Sequence, residues 1–106
     1  MNEVEILDAI NEIGYLLLKH GAEIYRVEES IRRMCEAYYF KDIEVFALPT
    51  YFTISLKLTN GTPYYCSKVI HSSHIHLDHL RELNQLVREI SNQQLEYMDI
   101  KDESIK

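Results

Sequence analysis

The stretch HGAEIYRVEESIRRM, His20 to Met34, holds the residues whose types and order best suit chemistry. A helix starting near Ala22 would put Glu23 in its first turn, where free N–H groups and the helix dipole favour a carboxylate. Arg26 follows three residues on and Ser30 four beyond that, so Glu23, Arg26 and Ser30 share one polar stripe. Val27, Ile31 and Met34 then face the core. Glu28 belongs to another face and can pair with Arg32, four residues ahead. An arginine held in such a turn can grip a carboxylate with two prongs. That carboxylate is either a bound ligand's or one of the protein's own, such as Glu23. The plainer alternative is a set of helix-surface ion pairs, each worth less than about 1 kcal/mol.

A second chemical cluster is HSSHIHLDH, with His71, His74, His76, Asp78 and His79. Imidazole and carboxylate suit zinc and similar metals. The spacing matches no ligand signature, and the expectation is a polar helix start without a metal. No cofactor is called for. Support for catalysis is thinner. Glu23, Glu28 and Thr50 could supply a general acid, a base or a nucleophile, but no spacing demands it.

These residues need elements to hold them. Ile6, Ile10, Ile13 and Leu17 mark one helical face over residues 3 to 20. Gly21 ends that helix, since glycine readily takes the left-handed conformation of a C-cap. A second helical pattern runs through Ile24, Val27, Ile31, Met34, Cys35 and Tyr38. The period then changes: DIEVFALP and YFTISLKL alternate and are rich in β-branched and aromatic residues, as strands are. Pro49 and Thr50 separate them. Asn60-Gly61 favours a tight turn into a third strand, PYYCSKVI, where Pro63 stands at a tolerated first position. From Ile75 the helical period returns, with Leu80, Leu83, Val87 and Ile90 on one stripe and Ser72 or Ser73 as cap. The order ααβββα predicts an α+β fold: a three-stranded, mainly antiparallel sheet with helices packed on one face.

The chain has 106 residues, 46% of them apolar and 26% charged, which fits a single globular domain over 1–95. Lys and Arg number 11 against 17 Asp and Glu, a net charge of −6. Without a basic block, nucleic-acid binding is excluded as a reading. Apolar runs are far shorter than the roughly 20 residues of a membrane span. Cys35 and Cys66 have no paired spacing and read as free thiols of a reducing compartment. The eight tyrosines include Tyr38, Tyr39, Tyr51, Tyr64 and Tyr65 near the strands. Packing explains most of them, and an exposed subset would mark an interface with another copy or a membrane part. Residues 96–106 read as an acidic linker, cut short before a membrane region.

GAEIYRVEESIRRM, the later LPTYFTISL and the last helix's LNQLVREI together resemble the N-terminal domain of the threonine/serine exporter family. The matching positions are Gly21, Ala22, Glu23, Arg26, Val27, Glu28, Pro49, Thr50, Asn84 and Arg88, within a likeness from about residue 8 to about residue 95. The resemblance implies a domain on the cytoplasmic side of the membrane, joined to an exporter of threonine, serine or related small polar metabolites. Its partner would be the transmembrane part, on the same or a separate chain. Its role would be to regulate, gate or assemble the transporter, with a hydrolase-like activity on an export-linked substrate as the alternative. Glu23, Arg26, Glu28, Ser30, Thr50, Asn84 and Arg88 become the expected ligand-binding set. Gly21, Ala22 and Pro49 become structural positions.

Overall fold

The computed structural model describes residues 2–71 and 79–92. Helix α1 spans Glu3–Lys19 and helix α2 spans Ile24–Ala37. Strands β1 (Lys41–Leu48), β2 (Tyr51–Lys57) and β3 (Pro63–Val69) form one antiparallel sheet in the order β1-β2-β3. Residues 79–92 are helical and complete the expected ααβββα order as α3. Ser72, Ser73 and Ile75, where the sequence places this helix's cap and start, lie outside the described residues.

Local chemistry fixes each boundary. The Asn2 side chain accepts the Glu5 amide at 2.8 Å, and Glu3 and Glu5 complement the dipole at the start of α1. At its other end Gly21 takes φ +90, the left-handed conformation expected of it. The Gly21 and Ala22 amides then close back on the carbonyls of Leu18 and Leu17, at 3.1 and 3.0 Å. The chain therefore reverses in a few residues, and α2 begins at Ile24, two residues later than the sequence pattern suggests. Glu23 is its N-cap, yet its side chain makes no capping bond. The same cap recurs after α2, with Tyr39 at φ 65 and the Phe40 amide on the Cys35 carbonyl.

Asn60 and Gly61 turn the chain between β2 and β3. Gly61 has φ +90, its amide donates to Leu58, and the Asn60 side chain accepts the Thr62 amide. Glu3 accepts the Thr59 hydroxyl, tying this turn to α1. Pro49 and Thr50 make the β1–β2 turn, where the Thr50 carbonyl accepts the Ile70 amide at 2.7 Å. A bulge with Asp42 at φ 51 displaces the register between Lys41 and Glu44.

The core lies between the helices and one sheet face. Leu7, Ile10 and Leu17 of α1, Val27, Ile31 and Met34 of α2, and Phe52, Ile54 and Leu56 of β2 are all buried there. Gly14 lets α1 approach closely: a Cβ there would lie 2.8 Å from Ile31 Cδ1 and 3.2 Å from Phe52 Cζ. Val87 is buried in the same core, with Leu80, Leu83 and Ile90 packed against it, so α3 docks by its expected stripe. Asn11, buried within α1, donates to the Leu7 carbonyl and to the Tyr64 hydroxyl, both at 2.9 Å. Burial pushes the Tyr64 phenol up to about 12, while the hydrogen bond donated by Asn11 works in the opposite direction. Both cysteines are free.

Candidate functional site

The turn after α1 delivers Gly21, Ala22 and Glu23 to the rim of an open cleft of about 840 Å³. One wall is the polar stripe of α2, where Arg26 and Ser30 stand at helical spacing from Glu23. The facing wall is α3, which contributes Asn84 and Arg88, with Leu80 and Val87 as an apolar floor. Docking of α3 is fixed by its buried apolar stripe and by His79, whose ring meets His20 edge-on at 4.6 Å. His20 is the C-cap of α1, so this contact anchors α3 beside the turn that carries Gly21.

Five of the seven expected ligand-binding residues are therefore brought together: Glu23, Arg26, Ser30, Asn84 and Arg88. Their separation in sequence makes the convergence informative, since the α2 and α3 groups meet only through the tertiary fold. Gly21 and Ala22 lie in the turn after α1 and line the same cleft.

Glu28 and Thr50 are not among the residues lining the cleft. Glu28 does not form the expected pair with Arg32 either. Its carboxylate turns to the sheet and accepts the Ala47 amide of β1 at 3.0 Å. The reason is geometric: Glu28 follows the core residue Val27 on the side of α2 that packs on β1, whereas Arg32 is exposed. Thr50 is exposed in the β1–β2 turn beside Pro49. Of the three candidates for catalysis, Glu23, Glu28 and Thr50, Glu23 alone lines this cleft.

Sequence reasoning missed several lining residues: Tyr25, Glu29 and Arg33 on α2, and Arg81 on α3. The signal was present as spacing. Arg26, Glu29 and Arg33 stand at i, i+3 and i+7, as do Arg81, Asn84 and Arg88, so each helix extends its polar stripe by another turn. Arg33 pairs with Glu29 at 3.9 Å, with both side chains 60% exposed. Arg88 donates to the Gln85 side chain at 2.7 Å.

Of the histidine cluster, His71 is exposed after β3 and His79 opens the described part of α3. His74, His76 and Asp78 lie outside the described residues. Among the described residues no group of three His, Cys, Asp or Glu side chains is placed to hold a metal ion.

The family profile described as "Putative threonine/serine exporter" (ThrE) matches residues 8–103, nearly the whole chain. The chain belongs to this exporter family. No curated protein and no solved structure gives a significant match. Among the described residues, no helix of this exporter-family chain is long and apolar enough to cross a membrane. The Gly-Ala-Glu and Arg-Val-Glu segments of this chain thus have a physical layout. Glu23 and Arg26 look into the cleft, Val27 into the core, and Glu28 onto the sheet.

Proposed function

We propose that this chain is the domain through which an exporter of the family is regulated, gated or assembled on the cytoplasmic side of the membrane. In this reading it senses the exported amino acid in the α2–α3 cleft. The observation that carries the proposal is the convergence of Glu23, Arg26, Ser30, Asn84 and Arg88 on one cleft from two helices distant in sequence. A free amino acid offers one carboxylate and one ammonium. Arg26 can fork the carboxylate, and Glu23, whose side chain is not spent on capping α2, can accept from the ammonium. Ser30 and Asn84 supply the hydrogen-bonding groups that a hydroxylated side chain such as threonine's or serine's requires.

Thermal unfolding with excess L-threonine or L-serine tests this. At 100 times its dissociation constant a ligand stabilises the fold by about 2.7 kcal/mol, a shift of roughly 10 °C for a domain of this size. Arg26→Ala removes the shift if the cleft is the site. No shift with either amino acid leaves an assembly module, a reading with its own support on the outer sheet face. There Phe46, Leu48, Tyr65 and Val69 are exposed, and Leu48 and Val69 flank Tyr51 in register. Such a module shows association that rises with protein concentration and no response to either amino acid.

A further inference from the structure

Among the described residues, arginine and lysine are sharply segregated. Four of the chain's five arginines, Arg26, Arg33, Arg81 and Arg88, line the cleft, while Lys19, Lys41, Lys57 and Lys68 do not. Among the described lining residues, Glu23 and Glu29 offset two of these four arginines and leave two positive charges, in a chain whose net charge is −6. Guanidinium groups are planar forks that match carboxylate and phosphoryl oxygens, whereas lysine acts as a point charge. One amino-acid carboxylate occupies one such fork.

The arginines also have a pattern. Arg26 and Arg33 lie seven residues apart on α2, and Arg81 and Arg88 lie seven apart on α3. Seven residues advance a helix by about 10 Å. Both walls therefore carry an arginine near each end of their cleft-facing stripe. The volume, about 840 Å³, is that of a site for a ligand much larger than a free amino acid. At the rim Tyr25 is 60% exposed and offers a ring face to a planar group.

We infer that the cleft binds a soluble phosphorylated ligand, its phosphoryl oxygens held by Arg81 and Arg88 together with an arginine of α2. The inference rests on reading the cleft as a ligand site and goes beyond the amino-acid sensor in naming a polyanion. Phosphoryl groups are favoured over a single carboxylate because they carry more charge and more acceptor oxygens, enough to engage several forks at once. Glu23 separates the two ligand classes. Its carboxylate attracts an ammonium and repels a phosphate.

Calorimetric titration with sodium pyrophosphate and with ATP, alongside L-threonine, tests the inference. The expected result is binding of pyrophosphate or ATP that weakens as salt is raised and falls at least tenfold in the double variant Arg81→Ala, Arg88→Ala. Glu23→Gln is expected to strengthen pyrophosphate or ATP binding while weakening that of L-threonine. All three side chains are exposed, and the unfolding temperature of each unliganded variant verifies that the fold is retained. Binding of L-threonine with no binding of either phosphate overturns this inference and leaves the sensor standing. Phosphate binding without L-threonine binding does the reverse. Retention only on vesicles containing phosphatidylglycerol, with no affinity for pyrophosphate or ATP, overturns the soluble ligand in favour of a lipid headgroup. Binding of none of these probes overturns both readings.

Discussion

Glu28 is the acidic residue of the Arg-Val-Glu block that looks most like a catalytic or ligand-binding group and is placed least like one. Among the described residues β1 is an outer strand, paired only with β2, so half of its backbone amides lack a partner in the described sheet. The Ala47 amide is covered by α2 and donates to the Glu28 carboxylate at 3.0 Å, with Ala47 itself only 3% exposed. Glu28→Ala leaves that buried N–H without an acceptor. A hydrogen bond to a charged group contributes about 1.5–3 kcal/mol, and alanine's better helix propensity returns only a few tenths. The expected loss is about 1–2.5 kcal/mol, with Glu28→Gln, which keeps an acceptor, losing roughly half as much. Urea unfolding measures it: with a slope of about 1–3 kcal/mol per molar, the midpoint for Glu28→Ala falls by roughly 1 M. Amide exchange supplies the local readout, since Ala47 should lose protection ahead of its neighbours on β2. Unchanged stability together with unchanged exchange at Ala47 would refute the structural role, and would return Glu28 to the list of groups available for chemistry.

Two further predictions concern the core. Gly14→Ala pushes a methyl to 2.8 Å from Ile31 Cδ1 in a fully packed site. Overpacking of about 1–3 kcal/mol outweighs the roughly 1 kcal/mol gained in helix propensity, so the variant should be less stable in urea, and Gly14→Val markedly less. A stabilised Gly14→Ala would mean that the helices are not in close contact there. For the cysteines, burial and the neighbouring Glu36 push the Cys35 thiol up from 9.0 to about 12. A thiol-specific reagent should therefore modify half-buried Cys66 in the native protein and reach Cys35 only on unfolding. The sign of the linkage follows from the raised value. The native state favours the neutral thiol, so stability is complete below pH 9 and is lost as pH rises toward 12. The loss is about 1.4 kcal/mol by pH 10. Cys35→Ser, which does not titrate there, should flatten that part of the pH profile.

The fold was legible because its signals are local and redundant. Gly21 and Asn60-Gly61 supply left-handed turn conformations, and the apolar period changes from helical to alternating after Phe40 and back again before Leu80. The site was legible only in part. Glu23, Arg26 and Ser30 share a face by helical spacing alone, but which helix faces that stripe is a tertiary fact. Asn84 and Arg88 came from family likeness, not from periodicity. Arg33 and Arg81 fell between the two, being on the right spacing yet outside the matched motif. Glu28 could not be placed from sequence, because its choice between Arg32 and a strand amide depends on how α2 sits on β1. The His20–His79 contact was hidden for the same reason, with its two rings 59 positions apart in the sequence.

The layout of α2 suggests why its residues occur in this order. A helix that only packs needs Val27, Ile31 and Met34, and these alone would fix its rotation about the core. Glu28 adds a polar bond to the outer strand, so the helix is held in position along its axis as well. That second restraint matters for the opposite face. Arg26 and Ser30 stand on α2 only two residues from Glu28 on either side, so any slide of the helix on β1 would carry both out of line with Asn84 and Arg88 on α3. In this view Glu28 is a positioning residue for the cleft, acting from the far side of the helix. Its loss should lower ligand affinity less than Arg26→Ala does, and Glu28→Gln should restore most of it. Equal losses from Glu28→Ala and Arg26→Ala, without rescue by glutamine, would instead require the Glu28 carboxylate to contact the ligand itself.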